Sequence, residues 1–230
     1  EAMELVRMHH ADGIILCAIE NEWKTLKNYG QYGKVVACNE YNDDRDVSMI
    51  YGKQYEGFYE ASEYLIQKGH RKIAYCTGSH ALSIQPQGIN IDSDRYRGYV
   101  EAMSNNQLVA NPNWLFSGIG TLEDGRKVMH QILELKDRPD AIIAGSDEVA
   151  AGMVMEALAC GVNVPKDIAI MGVDDQPIAS LIQVPLTTIR QPIREEGEYA
   201  AKEMVRQLTA ETEETVRKEL ELELVIRQSA

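Results

Sequence analysis

The hydrophobic pattern of this chain alternates between short apolar runs and longer segments in which apolar residues recur at helical spacing. Short apolar runs are typical of buried parallel strands, whereas spacings of three and four residues are typical of helices that bury one face. The apolar runs predict strands at 14–18, 34–38, 73–77, 114–116, 140–145 and 168–173. The periodic segments predict helices at 22–29, 55–66, 94–104, 122–135 and 149–158.

The end of the chain continues this alternation. A short helix near Pro177 and a further strand lead into an amphipathic helix at 192–208 and a half-exposed strand at 220–226. Repeated strand–helix units imply parallel sheets with helices on both faces. We therefore predict an α/β fold with two doubly wound parallel-sheet lobes.

The polar loop 78–93 contains Pro86 and Gly88 and separates two periodic regions, which indicates a crossing between lobes. The pattern predicts an N-terminal lobe at 1–77, a C-terminal lobe at 78–190, and a recrossing helix and return strand at 191–230. The first periodic segment is helical, whereas a doubly wound lobe normally opens with a strand. The first lobe is therefore expected to be incomplete at its start.

A carboxylate follows each of two predicted strands in the segment 139–192. Asp147 comes after the strand at 140–145, and Asp174 ends the strand at 168–173. Asp147 is predicted to be the N-cap of the next helix, because Asp side chains accept hydrogen bonds from the first free N–H groups. Ligands of open parallel sheets bind at the carboxyl ends of the strands, so Asp174 is predicted to hold a polar ligand.

Composition and charge narrow the range of functions. The chain of 230 residues is 44% hydrophobic and 26% charged, which is ordinary for a soluble globular protein, and its formal net charge is −13. Binding to nucleic acids depends on Lys and Arg, so this charge argues against DNA binding by these residues. No apolar run approaches the ~18 residues that indicate a membrane span, and no membrane association is expected.

The four cysteines, Cys17, Cys38, Cys76 and Cys160, are widely spaced along the chain. This spacing does not fit a disulfide framework or a zinc site. They are predicted to be small, buried hydrophobic residues in a reducing environment, and a cytoplasmic location is expected.

Recognisable catalytic motifs are absent from the sequence. The segment 118–120 has two glycines but lacks the third glycine of a dinucleotide-binding turn, and there is no phosphate-binding loop or nucleophile elbow. His9 and His10 have no partners at metal-ligand spacing. We therefore expect no enzymatic activity, no cofactor and no metal.

Six phrases of this sequence resemble, in order and spacing, the effector-binding core of the lactose/galactose-repressor (LacI/GalR) family of bacterial transcription regulators. They are HADGIIL at 10–16, YLIQKGHRKIAYCTG at 64–78, RYRGYVEAM at 95–103, SDEVAAG at 146–152, GVNVPKDIAIMGVDD at 161–175 and VPLTTIRQP at 184–192. The resemblance runs from about residue 10 to residue 229. It implies a periplasmic-binding-protein-like fold of type I, with a ligand bound in the cleft between the lobes.

The same resemblance implies a ligand role for two charged residues. Arg95 matches the family arginine whose planar guanidinium binds effector hydroxyl or carboxylate groups. Arg95 could instead be a surface residue, but a cation near the start of a helix is unfavourable without a further reason. Asp174 matches the acid that accepts hydrogen bonds from effector hydroxyls. Asp174 or Asp175 could alternatively cap the helix near Pro177, and we assign Asp174 to the ligand and Asp175 to structure.

Three polar residues complete the site that the resemblance implies. Ser146 stands where the family has Asn, and its hydroxyl extends less far towards a ligand than the amide of Asn would. Asn39 stands where many members have Asp after a strand, and a turn role is an alternative. Gln191 matches a position that lines the cleft, with an exposed residue at the start of a helix as the alternative. Lys53-Gln54 replaces a frequent Asp-Asn pair, and this departure argues for an unusual effector or for weak dependence on an effector.

The predicted function is effector sensing and dimerisation for a LacI-family transcription repressor of carbohydrate-related genes. The expected partners are a small polar effector (a sugar, sugar phosphate or nucleoside-like molecule), a second copy of the chain, and operator DNA. The resemblance implies that DNA is bound through an N-terminal helix-turn-helix, which is absent from this chain and expected to precede it. The alternative is a solute-binding protein of a sugar transporter, which has the same fold.

The helix after Asp147 is the predicted dimer contact. It is apolar nearly all round, and its only charged residues beyond Asp147 are Glu148 and Glu156. A helix packed on a sheet needs one apolar stripe, so its other faces must also be covered. A partner subunit is the predicted cover, and the helix near Pro177 is the alternative within the same lobe.

Overall fold

A computed structural model describes residues 2–17, 23, 26, 28–79, 84–85, 87–209 and 214–230. The chain divides into two compact units. Unit 1 comprises Glu1–Lys53, Ile89–Ile91 and Pro192–Glu221. Unit 2 comprises Gln54–Gly88, Asp92–Gln191 and Leu222–Ala230.

The described residues form helices and strands in an alternating order. The helices are α1 (Ala2–Arg7), α2 (Gln54–Gln67), α3 (Ile91–Asn105), α4 (Leu122–Glu134), α5 (Asp147–Ala159), α6 (Ile178–Leu181) and α7 (Ile193–Thr209). The strands are β1 (Gly13–Leu16), β2 (Lys34–Cys38), β3 (Ser48–Gly52), β4 (Ile73–Cys76), β5 (Leu115–Phe116), β6 (Ala141–Ile143), β7 (Ala169–Asp174), β8 (Thr187–Arg190), β9 (Arg217–Leu220) and β10 (Glu223–Val225).

Unit 1 is built on a four-stranded parallel sheet with the order β1-β2-β3-β9. One face carries Val36, Ile50 and Leu220, which pack against Ala200 and Met204 of α7. The other face carries a second apolar cluster, with these buried members: Val35, Ala37, Tyr41, Val47, Met49 and Tyr51. The sheet therefore buries both faces, as parallel sheets generally do.

Unit 2 is built on a six-stranded sheet with the order β10-β8-β7-β6-β4-β5. Among its described strands, only the β10–β8 pair is antiparallel. Residues of α2 and α3 belong to the apolar cluster on one face, and residues of α4 and α5 belong to the cluster on the other face. The predicted α/β class with doubly wound parallel sheets is therefore confirmed.

The strand order of unit 2 reverses at β4, because β5 lies on one side of it and β6 on the other. This reversal opens a crevice at the carboxyl ends of the strands, where doubly wound proteins bind ligands. Just beyond these strands the backbones come close, since a Cβ on Gly145 would lie 3.2 Å from the Cα of Thr77. Glycine permits this approach without displacing either backbone.

The helices α4 and α5 pack through glycines. A Cβ on Gly152 would collide with the carbonyl oxygen of Leu122, and one on Gly125 would collide with the carbonyl oxygen of Val149. Met153 is fully buried, whereas Met155 is 47% exposed. The surplus apolar faces of α5 are thus covered largely by α4, and Ala179 of the helix near Pro177 packs in the same apolar cluster. The alternative within the same lobe therefore holds for part of this surface, and the contact with a partner subunit stays a prediction.

Two strand predictions differ from the structure. The sequence pattern does not predict the strand at 48–52, because its first residue, Ser48, is polar. Ser48 is buried and donates a hydrogen bond to Glu203 Oε1 at 2.7 Å. The alternation at 220–226 belongs to two short strands, β9 and β10, which join different sheets. Half of the predicted helix at 22–29 falls outside the described residues.

The division into units also differs from the predicted one. Unit 2 begins at Gln54, whereas the sequence predicted a boundary after residue 77. The reason is that β4 pairs with β5 and β6 and so belongs to the six-stranded sheet. The helix α2 packs on this sheet and therefore belongs to the same unit. The recrossing helix α7 lies in unit 1, and the return strand β10 lies in unit 2. Part of the loop 78–93 lies outside the described residues.

The four cysteines are free thiols. Cys38 and Cys76 are buried, as predicted. Cys17 and Cys160 are exposed, because Cys17 follows the last residue of β1 and Cys160 follows the last residue of α5.

Candidate ligand-binding site

The guanidinium of Arg95 is held in place at one of its nitrogens. Its Nε donates to Gln54 Oε1 at 2.7 Å, and the group lies over the ring of Phe58 at 5.1 Å from the centroid. Among the described residues, none accepts a hydrogen bond from the two terminal nitrogens of Arg95. The stacking and the Nε bond orient the planar group and leave its paired N–H donors for a ligand.

Gln54 and Gln191 form the support beneath Arg95. The amide nitrogen of Gln54 donates to Gln191 Oε1 at 2.9 Å, and that of Gln191 donates weakly to Gln54 Oε1 at 3.4 Å. Their exposed fractions are only 1% and 3%. In the sequence, Gln54 stands out only as a departure from the family pattern. Its position after β3, on the first residue of a helix, was the available signal.

Asp174 ends β7 with an unusual backbone. Its φ is 100°, and the φ of Asp175 is 55°, so two consecutive residues with side chains occupy the left-handed region. Such conformations cost about 1–3 kcal/mol each and concentrate at functional sites. The resulting turn separates the two carboxylates, which have different surroundings.

The carboxylate of Asp174 has no hydrogen bond or ion pair with any residue that the structure describes. Burial raises the pKa of Asp174, and the nearby charge of Arg95 partly opposes this by lowering it. The two groups predicted to bind the ligand are therefore neighbours, yet no direct ion pair within 4 Å joins them in the described part of the chain. The half-buried carboxylate of Asp174 accepts hydrogen bonds, and the terminal nitrogens of Arg95 donate them. Together they suit a ligand that both donates and accepts hydrogen bonds.

Asp175 has a structural environment. Its carboxylate accepts from Arg190 Nε at 2.7 Å and from a terminal nitrogen of Arg227 at 2.6 Å. Burial raises the pKa of Asp175, but the hydrogen bonds from Arg227 and Arg190 outweigh it and keep the pKa below its usual value. No side chain of the described residues caps α6, so the alternative that Asp174 or Asp175 caps this helix is wrong.

Ser146, and not Asp147, caps the helix α5. Ser146 is the N-cap of α5, with an extended backbone and a hydroxyl that accepts from the Val149 N–H at 3.3 Å. Asp147 is fully buried and accepts from the Thr188 hydroxyl and the Gln176 N–H, both at 2.6 Å. The prediction that Asp147 caps the helix is therefore wrong. Ser146 can still donate its hydroxyl proton, and its ligand role stays a prediction.

Asn39 lies in unit 1, directly after β2. Its φ is 55°, and its N–H donates to the carbonyl of Ile50 at 2.8 Å. Its side-chain oxygen is buried without a hydrogen bond from the described residues. An unsatisfied buried acceptor needs an explanation, and a ligand donor is one. Its ligand role stays a prediction, as does that of Gln191.

The buried carboxyl of Asp147 predicts a pH dependence of stability. Burial raises its pKa to about 6, although the hydrogen bonds from Thr188 and Gln176 lower it and the charges of Asp174 and Asp175 raise it further. The folded protein thus binds this proton more tightly than the unfolded chain. The stabilisation is complete below the ordinary pKa of about 4 and is lost as the pH rises through about 6, by about 3 kcal/mol in total.

We expect Asp147→Asn to flatten this dependence, because its amide oxygen can still accept from Gln176 and it carries no titrating proton. Free energies of unfolding measured in urea between pH 4 and pH 7 test this. The difference between wild type and variant should change with pH in that window. A difference that stays constant would contradict the shifted pKa.

Comparison with known proteins identifies the class. Residues 62–230 match the family described as periplasmic binding protein-like domain. A LacI family transcriptional regulator from Lactobacillus casei, crystallised with bound glucose, has a TM-score of 0.85 and 31% identity, over 100% of this chain and 82% of that one. The same regulator with bound sucrose has a TM-score of 0.86. The predicted periplasmic-binding-protein-like fold is confirmed.

Two curated relatives are transcription regulators. The NTD biosynthesis operon regulator NtdR of Bacillus subtilis is 35% identical over 230 residues, which are 100% of this chain and 68% of that protein. The HTH-type transcriptional repressor PurR of Mannheimia succiniciproducens is 29% identical over 245 residues, covering 94% of this chain and 71% of the repressor. The chain belongs to the LacI/GalR family of transcription regulators and corresponds to its effector-binding core.

Both named relatives are regulators of transcription. Within the described residues, no helix combines the length and the hydrophobicity needed to cross a membrane.

Proposed function

We propose that this chain senses a small polyhydroxylated effector, such as a sugar, sugar phosphate or nucleoside, for a LacI-family transcription repressor. The proposal rests on two groups that lie near each other and have no hydrogen-bond partner among the described residues. They are the terminal nitrogens of Arg95 and the carboxylate of Asp174. Support also comes from the Lactobacillus casei regulator, which is similar in fold and was crystallised with glucose and with sucrose.

The chemistry of the two groups favours neighbouring hydroxyls. An ionised carboxylate only accepts hydrogen bonds, and a guanidinium only donates them. A hydroxyl does both, so one sugar hydroxyl can donate to Asp174 while it or its neighbour accepts from Arg95. Hydrogen bonds to charged groups are roughly twice as strong as neutral ones, and partial burial of Asp174 adds to this.

The effector regulates transcription only if it binds one state of the repressor better than another. We propose that DNA is bound by a segment of the longer protein outside this chain, because this chain has a net charge of −13. Its similarity to an HTH-type repressor supports this arrangement and a place of action in the cytoplasm, where operator DNA is found.

A ligand screen tests the proposed function. Sugars, sugar phosphates and nucleosides are added to the chain, and the melting temperature is followed against ligand concentration. A true effector stabilises the folded state by about 2.7 kcal/mol at a hundred times its dissociation constant, and the shift continues to grow with the logarithm of concentration. Isothermal titration calorimetry then gives the stoichiometry, which should be one per chain. If no compound of the three classes binds, the proposed effector class is wrong.

We further propose that the chain forms a homodimer through the part of α5 that α4 leaves uncovered. Met155 is 47% exposed on α5, whereas Met153 of the same helix is fully buried. Sedimentation at micromolar concentration should show a dimer. Met155→Glu should weaken it by roughly tenfold or more, because a charge replaces an apolar side chain worth about 1.5–3 kcal/mol on burial.

The matched control for the dimer is Val109→Glu. Val109 lies in the same unit and is 79% exposed. This variant should dimerise like the wild type. A monomeric wild type, or a Met155→Glu variant that dimerises unchanged, would contradict the proposed interface. Met153→Glu is unsuitable, because a charge in the core would unfold the unit.

A further inference from the structure

Three metal-ligating side chains meet on the outer surface of α4 and α5, in a cluster that the candidate ligand site does not use. His130 of α4, Glu156 of α5 and Cys160 each offer a ligand atom, and these atoms lie within 4.8 Å of one another. The helix α5 begins at the carboxyl edge of the sheet and runs back along it, so Cys160 lies towards the opposite edge. The cluster is therefore separate from Arg95 and Asp174.

Two of the three distances within the cluster match those between ligands of a tetrahedral zinc ion. His130 Nδ1 lies 3.4 Å and Cys160 Sγ lies 3.6 Å from Glu156 Oε1. Bonds of about 2.0 Å to nitrogen and oxygen and about 2.3 Å to sulfur, at tetrahedral angles, separate nitrogen from oxygen by about 3.3 Å and sulfur from oxygen by about 3.5 Å. An ion can therefore bind with little change in these two distances. The third distance, between the ligand atoms of His130 and Cys160, is within 4.8 Å and would be about 3.5 Å around the ion.

The surroundings of two of these side chains resemble the outer shell of a metal site. Arg126 donates from Nε and from a terminal nitrogen to Glu156 Oε2, both at 3.1 Å, and this leaves Oε1 for an ion. The far nitrogen of His130 lies 3.7 Å from Glu134 Oε1, slightly beyond hydrogen-bond distance. Metal-bound histidines commonly donate their second N–H to a carboxylate, and metal-bound carboxylates are themselves hydrogen-bonded.

We propose that His130, Glu156 and Cys160 bind Zn²⁺ or a similar thiophilic divalent ion, with water in the fourth position. The Cys160 thiol loses its proton to solvent as the sulfur–metal bond forms, and the metal undergoes no redox change. The C-terminus of α5 also favours a cation, because its last carbonyls carry partial negative charge. Local sequence spacing could not reveal this site, since α4 and α5 must pack together to assemble it.

Cobalt(II) is the spectroscopic probe for this site. The reduced, chelator-treated chain is titrated with Co²⁺, and the near-ultraviolet thiolate-to-cobalt charge-transfer band is followed. We expect one equivalent to bind, the band to appear, and Zn²⁺ to displace the cobalt. Cys160→Ser should abolish the band, and His130→Ala should weaken binding at least tenfold. The supporting change Glu134→Gln should weaken it about tenfold while the band remains.

The matched control is Cys17→Ser, which removes the other exposed cysteine. This variant should keep the band and the affinity of the wild type. The proposal is overturned if the wild type shows no band at one equivalent, if the band survives in Cys160→Ser, or if it is lost in Cys17→Ser. The substituted side chains lie at the surface, so equal melting temperatures of the metal-free proteins show that each variant is folded. The outcome does not depend on the proposed effector.

Discussion

Arg95→Ala and Asp174→Ala are each expected to weaken effector binding by about 1.5–3 kcal/mol, or roughly tenfold to 150-fold in the dissociation constant. Each change removes a hydrogen bond between the effector and a charged group. For Asp174, the loss also leaves Arg95 without its neighbouring negative charge. Calorimetric titration with the effector found by screening measures both dissociation constants and their coupling in the double variant.

The control for this prediction is Arg97→Ala. Arg97 lies two residues further along α3, where it pairs with Asp94 and stacks on Tyr55 at 5.6 Å from the ring centroid. Its replacement should leave the dissociation constant unchanged. Gln54→Ala should weaken effector binding by an intermediate amount. The guanidinium of Arg95 is still present in this variant, but the hydrogen bond that orients it is lost. If both Arg95→Ala and Asp174→Ala keep the wild-type affinity, the effector binds elsewhere.

Gly152→Ala is expected to lower the free energy of unfolding by about 3 kcal/mol, at the upper end of the usual cost of overpacking. The added Cβ would collide with the carbonyl oxygen of Leu122. A backbone atom inside a helix cannot move aside as a side chain can, so α4 and α5 would have to separate. Urea unfolding followed by circular dichroism measures the change.

Gly120→Ala is the matched control for this effect. No described atom lies within 4 Å of the position of its Cβ. Its backbone is also outside the left-handed region, so alanine should be neutral or stabilise by up to about 1 kcal/mol. Equal stabilities of Gly152→Ala and Gly120→Ala would show that the helices do not depend on the close approach.

The candidate site was predicted in part. Sequence patterns and family resemblance singled out Arg95 and Asp174, and the structure places them near each other in unit 2. The resemblance could not show that Gln54 and Gln191 form a buried pair, because the two residues are 137 positions apart in the chain. It also could not divide the roles of Ser146 and Asp147, since either side chain can cap a helix.

The sequence by itself determined the α/β class and most helices and strands, because apolar spacing reports which face of an element is buried. Only the tertiary structure decided the partners of these elements. Two examples are the division of 220–226 between two sheets and the packing of α5 on α4. The physical reason is that periodicity records burial of a face but not which distant residues bury it. Strand pairing and glycine contacts between helices set those partners, and they depend on backbone positions far apart in the chain.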